Sequence, residues 1–368
     1  MFTKKIYSSI TEVIGNTPIV RLNKIEERYN VRTQLYAKLE YLNPFGSVKD
    51  RITSTLIQNA WKKNNYDKDT IIVGINFGDI SLSIASVAAS KGLKCVMVVY
   101  DDVSNKILNM LELLNTFIVF ASGIEDALKQ ATTLVKNLKS AVLICPFDDK
   151  DSVTVHRRTT AEEILKSMNN VDYFVSGVDT GATITGVGEV LKERNPKTVV
   201  VAVEPWDASM LSGKKVRSCK IKGMGIGLLP KILNINIIDY VFRVKIKEMI
   251  EYVRSLLASE GIAIGLTSGA AICAAVNLGI DVNDPSKKIL TILPSSINND
   301  IPIILSDNGN QLVTTQDQSI SYKLIAYYVL FLLISNEMKG KRPSNQLILV
   351  INKPIVCFIK NMNHHVNI

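Results

Sequence analysis

The sequence predicts an α/β fold made of two open, mainly parallel, twisted sheets covered by helices. Three observations predict it. Short β-branched apolar runs alternate with helical stretches along most of the chain. Those runs lack strict apolar–polar alternation, as strands covered on both faces do. The length of 368 residues, with 47% hydrophobic, suits two cores better than one.

The elements follow in order. "QLYAKLEY" reads as a strand, residues 48 to about 62 as a helix, "TIIVGIN" as a strand and "SLSIASVAASKG" as a helix. "KCVMVVY", helix "NKILNMLELLN", "FIVFA" and helix "EDALKQATTLVKNL" continue the rhythm. After "AVLICPF" come helix "TTAEEILKSM", strand "VDYFVSGV", helix "TGVGEVLKER", then "TVVVAVEP", "DYVFRVKI" and a last strand "KILTILP". Ligands of such sheets bind beyond the strand carboxyl ends, near helix N-termini.

Composition excludes several functions. The net charge of +9 is scattered, with no basic stripe or aromatic-interleaved patch, so no nucleic-acid partner is expected. Cys95, Cys145, Cys219, Cys273 and Cys357 are odd in number and far apart; they read as buried free thiols in a reducing compartment, not as a disulfide frame or a metal site. The start "MFTKKIYSSITEV" has no signal-peptide core, so a cytoplasmic location is expected. The apolar stretch Leu324–Ile334 has 11 residues, against the roughly 20 that span a bilayer, so no membrane attachment is expected.

Four glycine-bearing stretches could carry chemistry. In "NPFGSVKDR", Pro44 and Gly46 form a turn and Lys49 falls in the first turn of the following helix. The helix dipole disfavours a cation there by about 0.3–1 kcal/mol. Such a lysine is either a tolerated surface residue or one whose easily deprotonated amine serves covalent chemistry. In "SGVDTGATITGVGEVL", Gly177, Thr180, Gly181 and Thr183 sit between a strand and a helix, where amides can hold a phosphate or simply make a turn. "KGMGIGLLP" places Gly223, Gly225 and Gly227 on alternate positions, and in "GLTSGAAICAAV" Thr267 and Ser268 are helix N-cap candidates.

The order of "VIGNTPIVRLNKI", "NPFGSVKDR", the glycine loop, "GMGIGLLPK", "EGIAIGLTSGAA" and "ILTILPSS" resembles the cysteine synthase and cystathionine β-synthase family, pyridoxal-phosphate (PLP) enzymes of fold type II, over about residues 6 to 296. The resemblance implies a small mobile domain at 35–149, a large cofactor-binding domain at 1–34 plus 150–306, and a PLP cleft between them; residues 307–368 are a divergent tail. It implies that Lys49 is the catalytic residue, forming the Schiff base and then taking the α-proton. The cofactor would be held by Lys49, Asp79, Gly177, Thr180, Gly181, Thr183 and Ser296, the last at the pyridine nitrogen. The substrate would be held by Asn76, Gly78, Phe147 and Gly225. The implied reaction is β-replacement on O-acetylserine or a related β-substituted alanine in cysteine biosynthesis, by a homodimer whose partners are small amino-acid substrates and, in the cleft, the C-terminal peptide of another protein.

The chain also departs from that pattern. The family's "TSGNTG" loop, which meets the substrate carboxylate, reads "NFGDIS" here, with Asn76, Phe77, Asp79, Ile80 and Ser81 changed and Gly78 kept. "PQF" reads "CPF" with Pro146 for glutamine, Asp179 and Ala182 replace two glycines of the phosphate cup, and "INNDIPIILSDN" replaces "GERYLST". These changes open a second reading, a catalytically decayed paralogue that binds a metabolite or a partner peptide in the cleft.

Overall fold

The computed structural model describes residues 6–64, 68–100, 103–213, 221, 224 and 229–305. Within that range the elements are β1 (Ile19–Arg21), α1 (Asn23–Arg28), β2 (Gln34–Lys38), α2 (Lys49–Asn64), β3 (Ile71–Ile75), α3 (Ile80–Ser90), β4 (Lys94–Val99), α4 (Asn105–Leu113), β5 (Thr116–Phe120), α5 (Ile124–Asn137) and β6 (Ala141–Ile144). They continue with α6 (Asp151–Arg158), α7 (Thr160–Ser167), β7 (Tyr173–Gly177), α8 (Ala182–Arg194), β8 (Val199–Pro205), β9 (Tyr240–Val244), α9 (Ile246–Glu260), α10 (Leu266–Val282), β10 (Lys288–Ile292) and α11 (Ile301–Leu305). The chain divides into two compact units. Among the described residues the first takes in those between 6 and 64, 77 and 91, and 144 and 305, and the second those between 68 and 76 and 92 and 143.

The first unit is built on a six-stranded sheet of order β1-β2-β10-β7-β8-β9. Its neighbours run parallel except at one edge, where β1 pairs antiparallel with β2. The sheet is therefore mixed, because the short connection through α1 brings the chain back antiparallel to the three-residue β1. Strand parity sends Leu35, Val175, Val201 and Ile289 to one face, against α9 and α10, and Phe174, Val200, Ala202 and Leu290 to the other, against α7 and α8. Helix α10 is buried from Leu266 through Val276, which is why its sequence is nearly all small and apolar. The second unit carries the sheet β5-β4-β3-β6, with β3 and β4, and β4 and β5, parallel and every residue of β3 buried.

Several details differ from the sequence reading. Helix α8 begins at Ala182, three residues ahead of "TGVGEVLKER", and α1, α6 and α9 are additional helices. Thr267 and Ser268 do not cap α10, whose N-cap is Gly265. Both lie inside the helix, where the Thr267 hydroxyl bonds the Ser295 hydroxyl at 2.8 Å and Ser268 donates to the Ser295 carbonyl at 3.2 Å. Buried hydroxyls go where partners are. Cys95 and Cys273 are free and buried and Cys145 is free and half-buried; Cys219, Cys357 and the tail 307–368 lie outside the described residues. No helix among the described residues is long and apolar enough to cross a membrane.

A buried charge cluster in the first unit joins the N-terminal motif to "NPFGSVKDR". Arg51 donates to Glu40 through Nε at 2.7 Å and Nη2 at 2.8 Å, and to Glu163 through Nη1 and Nη2, both at 2.7 Å. Lys38 bonds Glu163 at 2.7 Å and the Thr17 carbonyl at 2.9 Å, while the Thr17 hydroxyl donates to Glu40 at 2.7 Å. The amides of Gly15 and Asn16 bond Asn43 Oδ1 and Glu163 at 2.8 and 2.9 Å. Burial pushes the Glu40 carboxyl up, but Arg51, Lys38 and Thr17 outweigh it and the net shift is downward. For Glu163 the same contest ends at about 2.

Breaking a buried pair strands the remaining charge, at a cost of about 3–5 kcal/mol. Arg51→Met should therefore destabilise the first unit by roughly that amount. Both tryptophans, Trp61 and Trp206, lie in this unit, so urea unfolding followed by tryptophan fluorescence measures it. A loss under about 1 kcal/mol would show that the cluster is not a support.

Candidate active site

Lys49 opens α2, and its first three residues have three different fixed partners. Successive helix positions are about 100° apart, so they leave the axis in different directions. The Lys49 ammonium pairs with the Asp179 carboxylate, and both side chains are about nine-tenths buried. Asp50, fully buried, accepts the Phe45 amide at 2.8 Å and the Ser83 hydroxyl, and burial pushes its carboxyl up to about 7 against those bonds. Arg51 turns into the charge cluster. Gly46, at φ +83°, makes the turn that places the helix start.

Facing Lys49 is the end of β7 and the start of α8. Gly181 is the N-cap of α8 at φ +79°, and a Cβ there would come within 2.8 Å of Leu233 Cβ, so the turn is open only to glycine. The first-turn amides of α8 have no carbonyl within their own helix and point at whatever sits in front of Gly181. Thr180 Oγ1 accepts the Ala182 amide at 3.2 Å. Lys49, Gly177, Asp179, Thr180, Gly181 and Thr183 line a single cleft, with Thr267, Met224 and Pro294. A side chain at Gly177 would run into the Met224 methyl.

His156, on α6, is a residue that sequence reasoning missed. Its Nδ1 is 2.9 Å from Thr160 Oγ1 and its Nε2 is 3.2 Å from Thr183 Oγ1. Burial, with the Arg51 charge behind it, lowers its pKa to about 3, so the neutral ring donates on one side and accepts on the other. The signal for it was weak: three residues before "TT" in a stretch with no apolar periodicity.

The remaining expected residues are placed as follows. Ser296 lies outside the cleft lining, its amide donating to Gly46 O at 3.3 Å and its backbone bridging to Ile264. Asp79 stands at the N-cap of α3 without capping it; its Oδ1 accepts Asn299 Nδ2 at 2.8 Å. Gly78 has φ +77° and its carbonyl accepts the Ser81 hydroxyl at 2.8 Å. Phe147 packs edge-on against Phe77, ring centres 4.7 Å apart. Asn76, in the second unit, donates its amide to Val98 O at 2.9 Å, and its Oδ1 is buried without a partner among the described residues. Gly225, with Gly223 and Gly227, lies outside the described residues.

A buried lysine at a helix start, opposite the glycine N-cap of a second helix, is an arrangement for an aldehyde that also carries an anion. The sequence model of the family "Pyridoxal-phosphate dependent enzyme" matches residues 10–295. The chain belongs to this family. It is 35% identical over 293 residues to cysteine synthase B of Campylobacter jejuni, covering 78% of this chain and 95% of that one. To cystathionine beta-synthase of Apis mellifera it is 32% identical over 314 residues, covering 82% of this chain and 62% of that longer protein. Among solved structures, cysteine synthase from Entamoeba histolytica superposes with TM-score 0.78 at 27% identity over 90% of this chain and 97% of its own. A hydrogen sulfide-producing enzyme from Fusobacterium nucleatum does so with TM-score 0.76 at 32% identity over 79% and 97%.

Members of this family depend on pyridoxal phosphate, and the cleft fits the group. An amine on a helix start and a glycine N-cap of positive φ, at a helix end whose first-turn amides lack intrahelical carbonyls, face the same space. Asp179, whose Oδ1 is buried and without a partner among the described residues, is the one acidic group in this lining and does not add to that fit.

The low pKa of His156 gives a signed prediction. The unfolded chain binds a proton between about pH 3 and 6.5 that the folded chain refuses, so this residue withdraws stability as pH falls through that window. In His156→Gln the penalty is absent. Its stability relative to the unaltered protein should rise by about 1.4 kcal/mol per pH unit as pH falls from about 6 to 4, read from urea unfolding at each pH. Parallel profiles would mean the imidazole takes up its proton in the fold.

Proposed function

We propose that the chain is a cysteine synthase-type enzyme that replaces the β-substituent of O-acetylserine, or of a related β-substituted alanine, with a sulfur nucleophile. One observation carries this reading: Lys49 shares a buried cleft with the N-terminus of α8. Lys49 would hold the cofactor covalently through Nζ. The amides and hydroxyls of Thr180 through Thr183 would hold its phosphate, with His156 fixing the Thr183 hydroxyl, and Ser296 would stand at the pyridine nitrogen. When bound, the cofactor supplies an electron sink for the bond broken at the substrate α-carbon.

The protein's own part is proton handling and position. Lys49 Nζ removes and returns the proton at the α-carbon, and α2, pinned by Asp50 and Arg51, keeps that nitrogen in one place. The apolar walls of the cleft, buried Met224 and Ile292 and half-buried Pro294, limit the water that could compete with the incoming nucleophile. Asn76, Gly78, Phe147 and Gly225 would face the substrate.

The bond between Asp79 and Asn299 favours a second reading, a decayed paralogue that binds without turnover, because a carboxylate replaces a donor at the loop expected to meet the substrate carboxylate. The two readings separate in one assay. Cofactor-loaded protein given O-acetylserine and sulfide should form cysteine, and Lys49→Ala should slow it by about 10³-fold, within the range assigned to a positioned acid–base group. Protein that binds the cofactor but forms no cysteine belongs to the second reading.

A further inference from the structure

We propose that Asp179 is a resident counter-ion that holds the Lys49 amine and makes the cleft discriminate against ligands by their negative charge. The inference rests on the reading of this cleft as the cofactor site. Asp179 lies two residues before the N-cap of α8, a 13-residue helix, on the side of the helix end that favours negative charge. Its Oδ2 is taken by the Lys49 ammonium, its Oδ1 is buried with no partner among the described residues, and the residue is part of the cleft lining.

Charge balance then decides what the cleft accepts. Among the described residues lining it, Lys49 is the only cation. An incoming phosphate must share the amides at Gly181 and Thr183 with a carboxylate already beside them, and one lysine cannot neutralise both. Like charges in a poorly hydrated site repel unless one moves or takes a proton. A neutral ligand of the same ring and aldehyde meets only the second obstacle, the separation of Lys49 from Asp179. Asp179 therefore sets a preference on the ligand's charge, in addition to tying up the amine.

The test compares pyridoxal 5′-phosphate with pyridoxal, which lacks the phosphate, on full-length protein freed of cofactor. Affinities are read by equilibrium dialysis for the unaltered chain, for Asp179→Asn, which keeps the shape and removes the charge, and for Asp179→Gly. Both variants should gain affinity for both ligands, since the amine is freed, but the gain for pyridoxal 5′-phosphate should exceed that for pyridoxal by about tenfold or more. Equal gains for the two ligands would overturn charge selection. Unchanged affinities in both variants would overturn the proposal and leave the function above standing. Failure of all three proteins to bind either ligand would overturn both.

Discussion

Arg51 cannot leave its place. Glu40 is fully buried and keeps its charge because a guanidinium covers both of its oxygens, helped by Lys38 and the Thr17 hydroxyl, while Glu163 closes the other edge of the same planar group. Any rotation or slide of α2 would break this pairing and leave charge in a dry interior, a cost of about several kcal/mol. The loops at Gly15–Thr17 and at Asn43 are drawn into the same cluster through amide and hydroxyl bonds. The direction of Lys49 is a consequence. Two positions before Arg51 on the helix, it must leave on the far side from the cluster, and the far side is the cleft.

The chemistry of the cleft follows from what this frame holds fixed and what the sequence has changed within it. The glycine N-cap and the Thr183–His156 contact stand together at the start of α8. Three of the substitutions have partners on other elements: Asp179 takes Lys49, Asp79 takes Asn299, and Phe77 takes Phe147. Asn299 belongs to the segment that replaces the expected continuation after Ser296, so two departures distant in sequence meet in one hydrogen bond. A site rebuilt in this way has kept its lysine and altered the charge around it, which bears on ligand choice more than on fold.

Much of the framework was legible in the sequence because it depends on local periodicity. Strands such as "TVVVAVEP" and helices such as "EDALKQATTLVKNL" carry their spacing openly, and Lys49 does start a helix as its Pro–Gly turn suggests. Helix α6 was not legible: "DSVTVHRR" has no apolar stripe, because its buried face is made by Ser152, Val155 and His156, two of them polar. The antiparallel β1 was too short to show a period. Thr267 and Ser268 looked like caps by type, and only the position of Ser295 on another element redirects them. The direction of the Asp179 side chain, and its choice of Lys49, required the fold.

The central claim is that the frame around Arg51 presents Lys49 as the lysine that takes the cofactor. The direct measurement is borohydride reduction of the full-length protein equilibrated with pyridoxal phosphate, followed by peptide mass spectrometry. The account predicts the phosphopyridoxyl mark on Lys49 and its disappearance from that peptide in Arg51→Met folded at low temperature. A mark on another lysine, or none in protein shown to be folded by its tryptophan emission, would contradict it.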